Sequence, residues 1–171
     1  MDVFASTFHQ AADAGSASPA ANRHMTVFRS CVDQDDPAVL VVRCARPGAP
    51  LSGDYHLLLT QRRLVVTQET RALHRVRLHL NANLRHLSNV TWRLEGSKPG
   101  IELAATAVDG VRERFRLRLG DTAAVWRVED LLRQVFHGRR AEPAPAPAPA
   151  SSPAPAPAPA PVAAPARLAF A

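Results

Sequence analysis

The chain has 171 residues, 46% of them hydrophobic, and 21 Lys and Arg against 15 Asp and Glu give a net charge of +6. No apolar run approaches the ~18–20 residues of a membrane-crossing helix. Residues 1–15, "MDVFASTFHQAADAG", have neither the basic start nor the apolar stretch of a secretory signal. Cys31 and Cys44 match no metal-ligand spacing and no disulfide framework. These features predict a cytoplasmic chain, either free or peripheral to a membrane.

The charge is uneven. Residues 1–37 carry two Arg against five Asp, net −3, while residues 38–140 carry 17 Arg and one Lys against nine acids, net +9. Twenty Arg to one Lys, amid abundant Ala and Pro, reads as GC-rich bacterial coding. Such a bias sets how many arginines there are, not where they stand.

In chain order, residues 1–25 are small and polar and read as a disordered N-terminal segment. A domain is expected over 26–138. "TVFRSCV" (26–32) opens it as a short element, broken by the acidic "DQDDP" (33–37). Seven strands follow at short spacing: "AVLVVRCA" (38–45), "YHLLLT" (55–60), "RLVVTQ" (63–68), "LHRVRLHL" (73–80), "VTWRLE" (90–95), "IELAATA" (101–107) and "VRERFRLRL" (111–119). The fourth alternates, with Val76, Leu78 and Leu80 on one side and Arg75, Arg77 and His79 on the other.

The last hairpin can be set in register. "VDG" (108–110) fits a three-residue loop with Gly110 left-handed. Leu103 then lies opposite Phe115 inside, and Glu102 opposite Arg116 outside. A two-residue loop would put Leu103 beside Arg116, and a one-residue slip turns every side chain to the wrong face. One strand further on, Arg93 falls opposite Glu102 and Trp92 opposite Leu103.

A closing helix follows. Asp121 is its N-cap, and Ala124, Val125, Val128, Leu131, Leu132, Val135 and Phe136 form one apolar stripe. Trp126 stands at the stripe's edge, and both Trp92 and Trp126 are expected in the core. Residues 139–171 are an Ala/Pro-rich disordered tail, an extended spacer of roughly 3.1 Å per residue.

Seven short strands and one amphipathic C-terminal helix resemble a pleckstrin-homology-like domain, most closely the bacterial PH-like domains and their GRAM relatives. "HLLLTQRRLVVTQ" (56–68), "LRHLSNVTW" (84–92) and "AVDGVRERFRL" (107–117) carry the resemblance, which covers residues 38–138. It implies a mainly-β fold, a seven-stranded antiparallel roll or barrel capped by the helix, and binding rather than catalysis. Lipid-binding members hold inositol phosphates with basic residues on the first two strands and their loop. Here that region offers Arg43 and Arg46, with Arg62 and Arg63 further on, and the family's spaced basic motif is not met. Protein assembly is the role that the resemblance then implies.

The arginines on alternate positions are the main candidate site: Arg93, Arg112, Arg114, Arg116 and Arg118 on one surface, with Arg75 and Arg77 extending it. The row 112–118 spans roughly 20 Å, and each guanidinium can grip an oxyanion with paired hydrogen bonds. Such a face is either a contact for an acidic protein or an anionic lipid surface, or a solvated outside. Nucleic acid is disfavoured, because no aromatic platform interleaves with the arginines. The non-alternating run with Leu57, Leu59, Leu64 and Val66 needs cover on both faces. That cover is either the chain's own residues 26–32 or its helix, or a second protomer, which would make these residues an oligomer surface. His74, His79 and His86 have no metal spacing. No phosphate loop or nucleophile motif appears, so neither cofactor nor enzymatic activity is expected.

Overall fold

The computed structural model describes residues 2–15, 20–48, 53–70, 73–96 and 98–138. Among these residues seven strands form: β1 (Ala38–Ala45), β2 (Asp54–Thr60), β3 (Arg63–Glu69), β4 (Val76–Asn83), β5 (Ser88–Leu94), β6 (Gly100–Thr106) and β7 (Arg112–Arg118). Two helices, α1 (Val3–Ala14) and α2 (Ala21–Cys31), precede them, and α3 (Thr122–His137) follows. The strands make one antiparallel sheet of order β4-β3-β2-β1-β7-β6-β5.

The two edge strands are neighbours in the chain. Only Leu84–Leu87 separate β4 from β5, a reach of at most ~18 Å. The sheet must therefore curl until its edges approach at that corner, although among the described residues no ladder joins β4 to β5. This curled sheet, with α3 packed on its inner core, is the mainly-β PH-like roll that the sequence resemblance implies.

The register over 101–117 follows from the loop. Gly110 takes φ +79°, and its N–H donates to the Ala107 carbonyl at 3.0 Å. That fixes Leu103 opposite Phe115, Glu102 opposite Arg116 and, on the next strand, Arg93 opposite Glu102. Asp121 caps α3 by accepting from the Ala124 N–H at 2.7 Å. Ala124, Val125, Val128 and Leu132 are buried as the stripe requires.

Two apolar cores flank the sheet. The inner one joins Leu40, Val42, Leu57, Leu59, Leu64, Val66, Leu103, Phe115 and Leu117 to α3. The outer one joins Val41, Leu58 and Val65 to Phe4 and Phe8 of α1 and Phe28 of α2. The non-alternating run thus serves both cores in turn. Leu57, Leu59, Leu64 and Val66 are at most 1% exposed within the single chain, so they are not an oligomer surface. The chain's own helices supply the cover.

Within the segment 1–25, expected to be disordered, the described residues are instead mostly helical. Asp2 caps α1 by accepting from the Ala5 N–H at 2.9 Å, and Phe4 and Phe8 pack at 5.7 Å between ring centroids. "TVFRSCV" is the second half of α2 and its exit. Gly15 ends α1 so close to β1 that a Cβ there would lie 2.0 Å from the Val41 carbonyl oxygen. The expected spacer at 139–171 lies outside the described residues.

A candidate anion-binding face

Strand β7 alternates strictly. Phe115 and Leu117 enter the inner core, while Arg112, Arg114, Arg116 and Arg118 stand exposed on the other side. Arg93 of β5 shares that face, and β6 between them presents Glu102, Ala104 and Thr106. The structure therefore brings together five of the seven arginines picked out from the sequence.

Arg75 and Arg77 do not extend the row. Strand β4 is the opposite edge of the sheet, with β3, β2 and β1 between it and β7. A bulge also breaks its alternation, because Leu80 pairs with Val66 and Leu78 with Thr67, leaving His79 unpaired. The His79 ring consequently packs on Tyr55 and Phe115, with Nε2 3.8 Å from a Glu113 carboxylate oxygen. Burial lowers its pKa.

The five arginines are not equivalent. Arg93 donates to Glu102 at 2.7 Å, and Arg116 pairs with Glu95. The hydrogen bond from Arg93 holds the Glu102 carboxyl below its usual range despite partial burial, helped by the charges of Arg93, Arg114 and Arg116. Arg112 is held by neutral acceptors instead: the Asn89 carbonyl at 3.1 Å, Thr91 Oγ1 at 3.0 Å and Thr106 Oγ1 at 3.4 Å. Asn89 offers that carbonyl from a left-handed conformation, φ +50°, within the β5 bulge. Arg114 and Arg118 make no hydrogen bond or ion pair among the described residues.

Among the described residues, this face carries depressions that include the following two. One is an open groove at the loop after β5, lined in part by Arg93, Glu95, Lys98, Glu102, Arg116 and Arg118. The other is a trough of about 230 Å³ lined by Thr91, Trp92, Arg93, Glu102, Ala104, Arg112 and Arg114. Neither Glu95 nor Lys98 was picked out from the sequence: Glu95, expected at the end of a strand, stands just past β5, and Lys98 lies in the loop that follows. Trp92 packs against the inner core and lies beside Phe136 and His137, but Trp126, expected in the core, is 55% exposed on α3.

A second polar cluster, unsuspected from the sequence, lies beneath α2. His24 and His56 are buried with ring centroids 4.1 Å apart. His24 Nδ1 shares a 2.7 Å hydrogen bond with Thr67 Oγ1, and Arg23 donates to Glu69 at 2.8 Å. Among the described residues, no group of three or more His, Cys, Asp and Glu side chains is placed to hold a metal ion. Nor is any described helix long and apolar enough to cross a membrane.

No protein-family model and no curated protein matches the chain. Among solved structures it is similar to an apo activated truncation of Vav1, at 12% identity and a TM-score of 0.44 over 71% of this chain and 33% of that one. It is also similar to PDZ-RhoGEF DH/PH domains in complex with activated RhoA, at 15% identity and a TM-score of 0.46 over 75% and 36%. The chain spans about a third of the length of these proteins. With TM-scores below 0.5 the likenesses carry neither fold nor function across, and the fold rests on strand order and register.

Proposed function

We propose that the chain is a non-enzymatic interaction module that contacts an acidic protein through the outward face of β5, β6 and β7. One observation carries the reading. Five arginines share that face with two acids, Glu95 and Glu102, each already engaged by one arginine, so Arg112, Arg114 and Arg118 have no carboxylate partner among the described residues. A single-sign field of this kind steers and holds an oppositely charged surface. A second reading has its own support. Val108 and Val111 stand exposed at the β6–β7 tip beside Arg112, an apolar and basic edge suited to an anionic membrane.

Fluorescence anisotropy with a labelled glutamate-rich peptide, beside co-sedimentation with neutral and phosphatidylserine-containing vesicles, separates the two. The protein-contact reading predicts saturable binding of the peptide that drops at least tenfold in Arg112→Ser/Arg114→Ser/Arg118→Ser, about 1.4 kcal/mol. Binding to the anionic vesicles alone would transfer the face to the membrane. Equal binding by wild type and triple variant would remove the arginines from either role.

A further inference from the structure

We infer that the trough between Arg93, Arg112 and Arg114 is a site for a phosphate monoester borne by a side chain of the partner protein. The inference rests on the reading of this face as an acidic-protein contact, and it names the chemistry at its centre. Along β5, β6 and β7, Thr91 pairs with Ala104 and Ala104 with Arg114. Ala104 is too short to fill its position between long neighbours, and the trough opens above it.

The charges around the trough suit a dianion. Three arginines against the single carboxylate of Glu102 leave two positive charges. A phosphate monoester carries about −1.5 to −2 at pH 7 with three acceptor oxygens, whereas one carboxylate would leave positive charge unmatched. The donors are also pre-positioned. Arg112 makes three hydrogen bonds to neutral oxygens, which fix its guanidinium without neutralising it. Two of its five N–H groups remain for a ligand, and Arg114 contributes a guanidinium with no partner among the described residues.

The larger groove carries the same net charge, four cations against two carboxylates, but at about 890 Å³ it is far wider than a phosphate group, and two of its arginines are already paired, Arg93 with Glu102 and Arg116 with Glu95. Size narrows the ligand further. A volume of about 230 Å³ is below the ~300 Å³ at which small-molecule sites begin. It holds roughly seven or eight waters at ~30 Å³ each, room for a phosphate group and its side-chain stem. The exposed Val108 and Val111 do not line the trough, which favours a phosphorylated side chain over a bilayer.

The test is a titration of ¹⁵N-labelled full chain at pH 7.5, followed by amide shifts. The probes are a short phosphoserine peptide, the same peptide with glutamate in place of phosphoserine, inorganic phosphate, and phosphatidylcholine vesicles with and without phosphatidylserine. The phosphopeptide should bind saturably, moving Thr91, Ala104 and Arg114, at least tenfold tighter than the glutamate peptide, because it brings a second negative charge and three acceptor oxygens against two. Inorganic phosphate should compete with it. Arg114→Ser should weaken it at least tenfold, while Arg118→Ser, outside the trough, should change it less than about threefold. Equal affinity for the two peptides would overturn the phosphate site and leave the acidic-protein face standing. Binding to anionic vesicles without the phosphopeptide would overturn it in favour of a membrane. No binding by any probe would overturn both the site and the face.

Discussion

At the scale of single residues, His56 carries the sharpest pH dependence. It is 1% exposed between β2 and α2, and neither ring nitrogen has a hydrogen-bond partner among the described residues. Burial first, then the neighbouring His24 and Arg43, push its pKa down to about 4, against the opposing charges of Asp54 and Glu69. An unfolded histidine titrates near 6.5. The folded value is the lower one, so protons bind the unfolded chain better. Stability present above about pH 6.5 is lost as the pH falls towards 4 and levels off below. A gap of about 2.5 pH units corresponds to roughly 3 kcal/mol. Asp36 acts in the opposite sense, since burial raises its pKa and it gains a proton in the folded state first. Comparison with His56→Leu cancels that contribution. Urea unfolding at pH 7 and pH 4.5 should show the wild type losing about 2–3 kcal/mol more than the variant. Equal losses would mean that His56 is hydrated in the folded state.

At the scale of elements, the N-terminal helical pair is a structural layer rather than an appendage. Phe8 is fully buried, packing on Phe4 and, at 6.3 Å, on Phe28 of α2. Phe8→Ala should cost about 3–5 kcal/mol in urea unfolding. A loss under 1 kcal/mol would show that the layer is not docked in solution. This layer was the least legible part of the sequence. Phe4, Phe8 and Ala11 are spaced for one helix face, but small polar neighbours hid them, and their stability comes from packing on β1, not from propensity. The β6–β7 hairpin was legible to the residue because a three-residue loop and a period of two leave one register that buries Phe115 and exposes Arg114. The run Leu57–Leu59 with Leu64–Val66 announced that both faces were covered but not by what, since intramolecular and intermolecular cover demand the same side chains. The His79 bulge left no mark, because inserting one residue keeps the composition of an alternating strand. Arg75 and Arg77 looked like part of the arginine row because they too alternate with apolar residues, and strand order, which periodicity does not encode, separates them from it.

At the scale of the molecule, the two signs of charge are handled differently. Four acids of residues 1–37 are engaged within the N-terminal side of the fold: Asp2 with Arg29, Asp33 and Asp35 with Arg62, and Asp36 buried against Thr60 Oγ1 at 2.6 Å. They therefore do little to neutralise the face on β5, β6 and β7, where Arg112, Arg114 and Arg118 lack carboxylate partners among the described residues. A field left uncompensated in this way acts at a distance and is screened by salt, with a Debye length of ~10 Å at 0.1 M and ~3 Å at 1 M. Because the arginine row is roughly 20 Å long, high salt should uncouple its charges from one another and from an approaching partner. Affinity for a glutamate-rich peptide should fall at least tenfold between 0.05 and 0.5 M salt, chiefly through a slower association rate. The Arg112→Ser/Arg114→Ser/Arg118→Ser variant should show a much shallower dependence. Stopped-flow association across that salt range checks it, and wild-type association indifferent to salt would mean that partners meet the molecule on some other surface.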